Sequence, residues 1–210
     1  VIEADTNRIL HQSNANQKKY MASTTKILTA ITIIENCNMD EIVKVTKQTV
    51  GVEGSSIYLE EGEEISVKDL LYGLMLRSGN DCAETLAVYC SNSIESFAEL
   101  MNATAKKIGA KNSNFTNPHG LHDDNHYTTA YDLAIISSYA MKNETFREIV
   151  SKKSVNISFS TRDYDRHIIN KNKLLNSLEG ANGIKTGYTK KAGRCLVSSC
   201  KRNGMEVICV

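Results

Sequence analysis

The chain has 210 residues, of which 41% are hydrophobic, with a formal net charge of +1 and a single proline. This length allows one large or two small domains with a sizeable core, and the near-zero charge argues against a nucleic-acid partner. No run approaches the roughly 18 apolar residues of a membrane span, and no signal peptide is present. Because Val1 and Val210 lie in apolar segments, we expect a trimmed piece of a longer protein.

The first third of the chain predicts strands around one helix. Residues 1–10 are typical of a strand with a turn at 5–7. Residues 23–35 predict a helix, because Ile27, Ile31 and Ile34 recur at helical spacing. Residues 43–64 predict short hairpins punctuated by glycines.

The middle third predicts helices. Ser66 with Asp69, and Thr129 with Asp132, match capping boxes at helix starts. The first helix ends near residue 78, and others follow at 81–90, at 94–108 after the start signal Asn92, at 130–141 and from 145. Gly109 is the expected stop of the 94–108 helix.

Strand patterns return after residue 151, at 154–159, 183–189, 194–199 and 205–210, with the last turn at 202–204. The fold class predicted is therefore α+β, with an antiparallel sheet built from both chain ends and a mostly helical lobe between them. We expect a single domain over 1–210, with a sheet lobe at about 1–65 and 152–210 and a helical lobe at about 66–151.

Six cysteines are present, and their spacing contains neither a CxxC pair nor a zinc-type pairing with histidine. They are Cys37, Cys82, Cys90, Cys195, Cys200 and Cys209. We expect buried, free thiols and assign no disulfide.

Three short motifs supply the parts for attack on an amide carbonyl. They are Ser23-Thr24-Thr25-Lys26, Ser78-Gly79-Asn80 and Lys185-Thr186-Gly187. On a helix, positions i and i+3 share a face, so Lys26 can reach the Ser23 oxygen. A lysine acts as a base only if its pKa falls, and burial beside a second cation such as Lys185 has that effect.

Each motif alone is a weak signal. Ser198-Ser199-Cys200-Lys201 repeats the first motif, but it lies in a strand pattern, where i and i+3 point to opposite faces. The ordered trio is a strong signal because each member has a fitting context. On its strand, Lys185 can hold a substrate carboxylate, Thr186 can hydrogen-bond it, and Gly187 lets the substrate backbone lie close.

With these motifs the sequence resembles the low-molecular-weight penicillin-binding proteins, which are serine D-alanyl-D-alanine carboxypeptidases of the peptidase S11 type. The resemblance covers nearly the whole chain. Beyond the trio it extends over residues 22–26, 70–81, 126–132, 170–175 and 183–193. One departure is Cys82, where relatives commonly carry alanine, and we expect only a change in packing.

The resemblance implies a β-lactamase/transpeptidase-like fold and an acyl-serine mechanism. Ser23 attacks the carbonyl between two terminal D-alanines of a peptidoglycan stem peptide, and Lys26 takes its proton. Ser78 and Asn80 relay protons and hold the substrate. The amides of Ser23 and Tyr188 form the oxyanion hole.

The resemblance also implies that neither a cofactor nor a metal is required, and that β-lactam antibiotics bind covalently. It places the protein outside the cytoplasm, in a bacterial cell envelope. Membrane anchoring is expected through a C-terminal part absent from this sequence.

For the histidine cluster and for two basic residues, the sequence allows both a functional and a structural interpretation. His119, His122, Asp123, Asp124 and His126 form the one metal-like cluster, for which a polar loop is the preferred interpretation. Lys171 is either a second cation near the substrate carboxylate or a solvated surface lysine, and Arg194 is a weaker candidate for the same role.

Two alternative functions share these motifs. A β-lactamase needs a carboxylate that activates water; Glu179 with Asn182 has the right letters, but it stands too close to the Lys185 strand. A penicillin sensor would be acylated without turnover.

Overall fold

The computed structural model describes residues 1–210 and confirms the α+β class. One four-stranded antiparallel sheet has the order β1-β8-β7-β6 and joins the two ends of the chain. Its strands are β1 (Ile2–Glu3), β6 (Ala181–Thr189), β7 (Gly193–Arg202) and β8 (Met205–Cys209). Ile2 pairs with Ile208, so the first strand completes an edge of a sheet made otherwise from the last 30 residues.

Seven α-helices pack against this sheet and one another. They are α1 (Lys26–Asn36), α2 (Val67–Tyr72), α3 (Asn80–Ser91), α4 (Ile94–Ile108), α5 (Ala130–Met141), α6 (Glu144–Ser151) and α7 (Leu174–Ser177). Helix α1 lies at the centre, because residues 26–33 are all buried. A helix that is buried on every side must be surrounded by other elements, and α1 packs against α3, α4, α5 and α6.

The hairpins expected over residues 43–64 are replaced by a largely irregular segment. Between residues 11 and 180 the strands form only two small separate sheets, β2 (Ile42–Lys44) with β3 (Glu64–Ser66) and β4 (Ser154–Ile157) with β5 (Arg166–Ile169). Much of 43–64 is irregular, because a side chain takes the place of a partner strand. The Asp81 carboxylate accepts the amides of Ile57 and Leu59, each at 3.1 Å.

Two of the predicted helix caps are confirmed, and a third lies one residue later than expected. The side chains of Ser66 and Thr129 accept the amides of Asp69 and Asp132, as expected. Helix α4 is capped by Ser93 rather than Asn92, because Asn92 ends α3 in a left-handed conformation at φ 63°.

Three other elements differ from the sequence patterns. Helix α6 begins at Glu144, with Asn143 as its cap. The strand expected over 1–10 shortens to Ile2–Glu3 and folds back on itself, so that Ile2 bridges to Ile9. Strand β5 and helix α7 were not predicted.

A buried ion pair fixes the irregular segment that precedes β3. Glu63 is fully buried and binds Arg166, with Nη2 and Oε2 2.7 Å apart. The same guanidinium donates to the carbonyls of Ile57 and Tyr58 and lies 3.4 Å from the centre of the Phe159 ring. Arg166 therefore connects the small β4–β5 sheet to the segment that forms one wall of the site described below.

We expect Glu63→Ala to lower the free energy of unfolding by about 3–5 kcal/mol, because it leaves a buried guanidinium without its counter-charge. The matched control is Glu60→Ala. Glu60 also pairs with an arginine, Arg162, but at the surface, where a pair contributes about 0–1 kcal/mol. Urea unfolding of both variants measures the difference, and equal losses would contradict the role given to Arg166.

Candidate active site

Ser23 lies on a tight turn that leads directly into the central helix. Residues Ala22–Thr25 form a 3₁₀ turn, and the α-helix begins at Lys26, three residues later than the pattern indicated. Ala22 has a φ of 48°, in the left-handed region, and its carbonyl accepts the Thr25 hydroxyl at 2.8 Å. Such a conformation in a non-glycine residue is held only by its surroundings and is common at functional sites.

The Lys26 side chain is fully buried and meets three acceptors. Its Nζ lies 2.6 Å from Asn80 Oδ1, 2.7 Å from the His119 carbonyl and 3.2 Å from Ser23 Oγ. A neutral amine has two protons and one lone pair. If the protons go to the two shorter contacts, the lone pair faces the Ser23 hydroxyl.

The neutral form is favoured by the surroundings of Lys26. Burial holds the pKa of its ammonium well below the ordinary value, and the positive charge of Lys185 lowers it further. The sequence-based expectation of a second cation near Lys26 therefore agrees with the electrostatics of the folded chain.

The middle motif stands opposite Ser23, at the start of α3. Ser78 ends a π-helical turn (Gly73–Arg77) with a φ of 69° and lines the same cleft as Ser23. Asn80 is the first residue of α3, and its amide side chain also donates to the Glu53 carbonyl at 2.5 Å. The Asn80 side chain is thus fixed between Lys26 and the segment around residue 53.

Strand β6 forms the other wall. A Cβ on Gly187 would lie 3.0 Å from the Ser23 amide nitrogen and 3.1 Å from that of Thr24. The glycine thus lets the strand pack directly on the Ser23 turn. The sequence analysis had explained this glycine by close approach of the substrate backbone. Thr186 and the exposed Tyr188 line the cleft beside it.

Two lysines contribute positive charge near the cleft, one on this strand and one beside Ser55. Lys185 is buried, its Nζ donates to the Thr186 carbonyl at 3.0 Å, and burial together with the charge of Lys171 lowers its pKa to about 7. Lys171 stands at the cleft, where its Nζ donates to Ser55 Oγ at 2.8 Å. Arg194 also reaches the cleft, from β7.

The cleft has a volume of about 750 Å³ and is lined mainly by polar residues. They are Ser23, Ser55, Ser78, Lys171, Thr186, Gly187, Tyr188, Arg194, Cys195 and Leu196. The three motifs therefore converge on one cleft, with Lys26, Asn80 and Lys185 buried behind its surface. The repeated motif does not, because Ser198 and Lys201 lie on strand β7 and Lys201 is exposed.

A family model for D-alanyl-D-alanine carboxypeptidases of the peptidase S11 type matches residues 1–210. The chain belongs to this family.

Individual members of the family are similar to this chain over nearly its whole length. The chain is 37% identical to the D-alanyl-D-alanine carboxypeptidase DacF of Bacillus subtilis, with all of this chain matched to 55% of that protein. It is 36% identical to a D-alanyl-D-alanine carboxypeptidase of Streptomyces sp. strain K15, over 97% of this chain and 75% of that one. The chain thus spans about half the length of the Bacillus relative.

Solved structures show the same fold. The Streptomyces K15 DD-transpeptidase superposes with a TM-score of 0.92 at 34% identity, covering 99% of this chain and 85% of that one. DacD of Francisella tularensis gives a TM-score of 0.90 at 29% identity, covering 99% and 63%. None of the helices in this family member has the length and apolar character needed to cross a membrane.

The histidine-rich loop supports the Ser23 turn of this S11 peptidase. A Cβ on Gly120 would lie only 1.9 Å from the Ala22 carbonyl oxygen, so the loop packs directly on the turn. His126 joins the two, with Nε2 2.7 Å from Thr25 Oγ1 and Nδ1 accepting the Thr116 amide at 3.0 Å. His119 Nε2 meets Glu84 at 3.3 Å. These histidines are thus engaged with protein groups, and the sequence pattern did not reveal their supporting role.

Sequence reasoning also missed Asp81 and Ser55. The Asp81 carboxylate accepts the Ser56 hydroxyl at 2.6 Å, in addition to the amides of Ile57 and Leu59. The Ser55 carbonyl accepts the Asn80 amide at 2.7 Å, and its hydroxyl meets Lys171. Asp81 could have been noticed from its position directly after the Ser78-Gly79-Asn80 motif. A carboxylate that is buried there must have hydrogen-bond partners.

We expect His126 to stay neutral well into the acidic range, because burial, aided by the charge of His119 if protonated, lowers its pKa to about 4. The unfolded chain takes up this proton near pH 6.5. Stability should therefore fall as pH drops from about 6.5 to about 4, by on the order of 3 kcal/mol.

NMR titration of the histidine rings gives this pKa directly. Urea unfolding across the same pH range, on the wild type and on His126→Gln, gives the stability. A His126 pKa near 6.5, or an unchanged pH slope in the variant, would contradict the prediction.

Proposed function

We propose that this protein is a serine D-Ala-D-Ala carboxypeptidase that removes the terminal D-alanine from peptidoglycan stem peptides and is acylated by β-lactams. One observation carries the proposal: a fully buried lysine amine lies between a serine hydroxyl and an asparagine amide, at the base of a polar cleft. Its S11 relatives are D-alanyl-D-alanine carboxypeptidases, which agrees with this chemistry.

The reaction begins at Ser23. The neutral Lys26 amine takes the hydroxyl proton as Oγ attacks the carbonyl between the two D-alanines. The amides of Ser23 and Tyr188 hold the oxyanion. Ser78 relays this proton from Lys26 to the leaving D-alanine amine, while Asn80 holds Lys26 and the substrate backbone. Water then releases the acyl group from Ser23.

Lys185 and Thr186 hold the terminal carboxylate of the substrate, with Gly187 keeping the strand close to Ser23. Lys171 adds a second positive charge on the opposite side of the cleft, where its hydrogen bond to Ser55 holds the side chain in place. A carboxylate bound between cations gains charge-assisted hydrogen bonds that an uncharged chain end cannot make.

We further infer that residues 1–210 act as one catalytic unit, since 43 buried residues form one hydrophobic cluster that reaches both the helices and the sheet. The activity needs neither a metal nor another cofactor. It takes place outside the cytoplasm, in the cell envelope, where the substrate is.

A β-lactamase is disfavoured by the position of Glu179. This residue precedes β6 at the end remote from Ser23, and its carbonyl accepts the side chains of Cys200 and Arg202. From Ala181 to Gly187 the strand spans roughly 20 Å, at about 3.3 Å per residue, so the Glu179 carboxylate cannot activate water at Ser23. The sensor alternative is decided by turnover: release of D-alanine supports an enzyme, and a stable acyl-protein without release supports a sensor.

Ser23→Ala should abolish covalent labelling by fluorescent penicillin and leave the thermal unfolding temperature nearly unchanged. The matched control is Ser198→Ala, which changes the repeated motif on β7 and should label normally. Mass spectrometry of the labelled wild type locates the acyl group. Labelling retained in Ser23→Ala, or located at Ser198, would refute the assignment.

Lys26→Arg should slow acylation by about 10²–10⁴-fold, because arginine keeps its proton and cannot act as a base. In the wild type the acylation rate should rise with pH through an apparent pKa below that of free lysine, since burial lowers the pKa of Lys26. Stopped-flow measurement with a chromogenic β-lactam gives both results. Near-normal acylation by Lys26→Arg would exclude the base role.

Peptides ending in D-alanyl-D-alanine amide should be poorer substrates than the acids by about one to two decades in kcat/KM, for the loss of a contact of roughly 1.5–3 kcal/mol. The preference for the acid should weaken above about pH 7, where Lys185 loses its proton. Lys185→Ala should reduce activity on the acid more than on the amide. Equal losses on both peptides would mean that Lys185 does not bind the carboxylate.

A further inference from the structure

A second groove lies next to the cleft at Ser23. It has a volume of about 610 Å³, and three of the residues that line it are lysines, namely Lys18, Lys19 and Lys191. Both of its sides continue those of the cleft. On one side Tyr20 lies three residues before Ser23, and on the other Lys191 lies three residues after Tyr188. The groove is therefore an extension of the cleft past the end of β6.

The lysines give this groove an uncompensated positive charge. All three side chains are exposed, and none of their amines forms an ion pair within the protein. Lys18 Nζ lies 4.2 Å from the centre of the Tyr127 ring. The one carboxylate that lines the groove, Asp124, accepts the Tyr20 hydroxyl at 3.1 Å and lies 3.2 Å from His122 Nε2. A groove in which one sign of charge is in excess attracts ligands of the opposite sign.

Strand β6 gives the direction in which a bound peptide runs. With the terminal carboxylate of the peptide at Lys185 and its scissile carbonyl beside Tyr188, the rest of the substrate continues beyond Tyr188. There β6 ends, and the turn into β7 carries Lys191. At about 3.3 Å per residue, Lys191 lies roughly 10 Å past Tyr188, near the third and fourth residues before the scissile bond.

We propose that the groove is a subsite for a carboxylate of the stem peptide, at about the third residue before the scissile bond. The inference rests on the proposed carboxypeptidase function, because that function sets the direction of the substrate. The lysines attract the carboxylate without touching the reacting atoms. Their contribution is equal in the bound substrate and in the transition state, so it lowers KM and leaves kcat unchanged.

The test compares two acetylated pentapeptides that differ in one charge. The first is acetyl-L-alanyl-γ-D-glutamyl-Nε-acetyl-L-lysyl-D-alanyl-D-alanine, and the second has an amide in place of the free glutamyl carboxylate. In a D-alanine release assay at low ionic strength, the KM of the free acid should be lower by about three- to tenfold, with the same kcat. The preference should decrease as salt is added, because salt screens exposed charges.

Lys191→Gln should reduce the preference for the free acid, and Lys19→Gln combined with Lys191→Gln should nearly abolish it. Glutamine removes the charge and keeps a long polar side chain. The matched control is Lys201→Gln, which removes an exposed charge at the other end of the β6–β7 hairpin. This control should keep the full preference.

A competition experiment separates the subsite from the proposed function. Each peptide is added while fluorescent penicillin acylates Ser23, so that slower labelling reports peptide binding without turnover. If neither peptide releases D-alanine, the carboxypeptidase function fails, and the ratio of the two binding constants alone decides on the subsite. The subsite is overturned if the two peptides bind equally or not at all, if the double variant keeps the preference, or if Lys201→Gln loses it to the same extent.

Discussion

The site depends on one lysine amine buried in the protein interior. Lys26 is fully buried, and removal of an ammonium from water is costly unless it loses its proton or meets strong partners. The fold supplies two short acceptors, the Asn80 side chain and the His119 carbonyl, and leaves the third contact to Ser23. Burial and the neighbouring Lys185 both favour the neutral form. The same surroundings that destabilise the charged ammonium therefore make the amine available as a base.

Each acceptor of Lys26 belongs to a different part of the chain, and each part is itself fixed. Asn80 is held by the Glu53 carbonyl and by the start of α3. The His119 loop is held by Gly120, which packs on the Ala22 carbonyl, and by the Thr29 hydroxyl, which donates to the Pro118 carbonyl at 2.7 Å. The lysine is thus positioned by backbone contacts that a small change in loop packing would alter.

One wall of the cleft is built from an irregular segment, and buried charges hold it. The Asp81 carboxylate accepts backbone amides of the segment that follows Ser56. Arg166, paired with Glu63, donates to backbone carbonyls of the same segment. In place of a strand partner, the backbone of this segment therefore finds charged side chains, each of them paired or hydrogen-bonded as burial requires. The wall carrying Ser55 and Lys171 is in this way as well defined as the opposite wall, which is a regular strand.

The sequence by itself determined the α+β class, the helix caps at Ser66 and Thr129, and the three motifs, because periodicity, capping and motif spacing are local properties. It could not determine that α1 is the central helix, that much of 43–64 is irregular, or that β5 pairs with β4, since each depends on partners distant in the chain. For the same reason the support of Ser23 by the histidine loop was decided only by tertiary packing. Local rules place a side chain on a helix or a strand, whereas the surroundings that shift its pKa come from the rest of the chain.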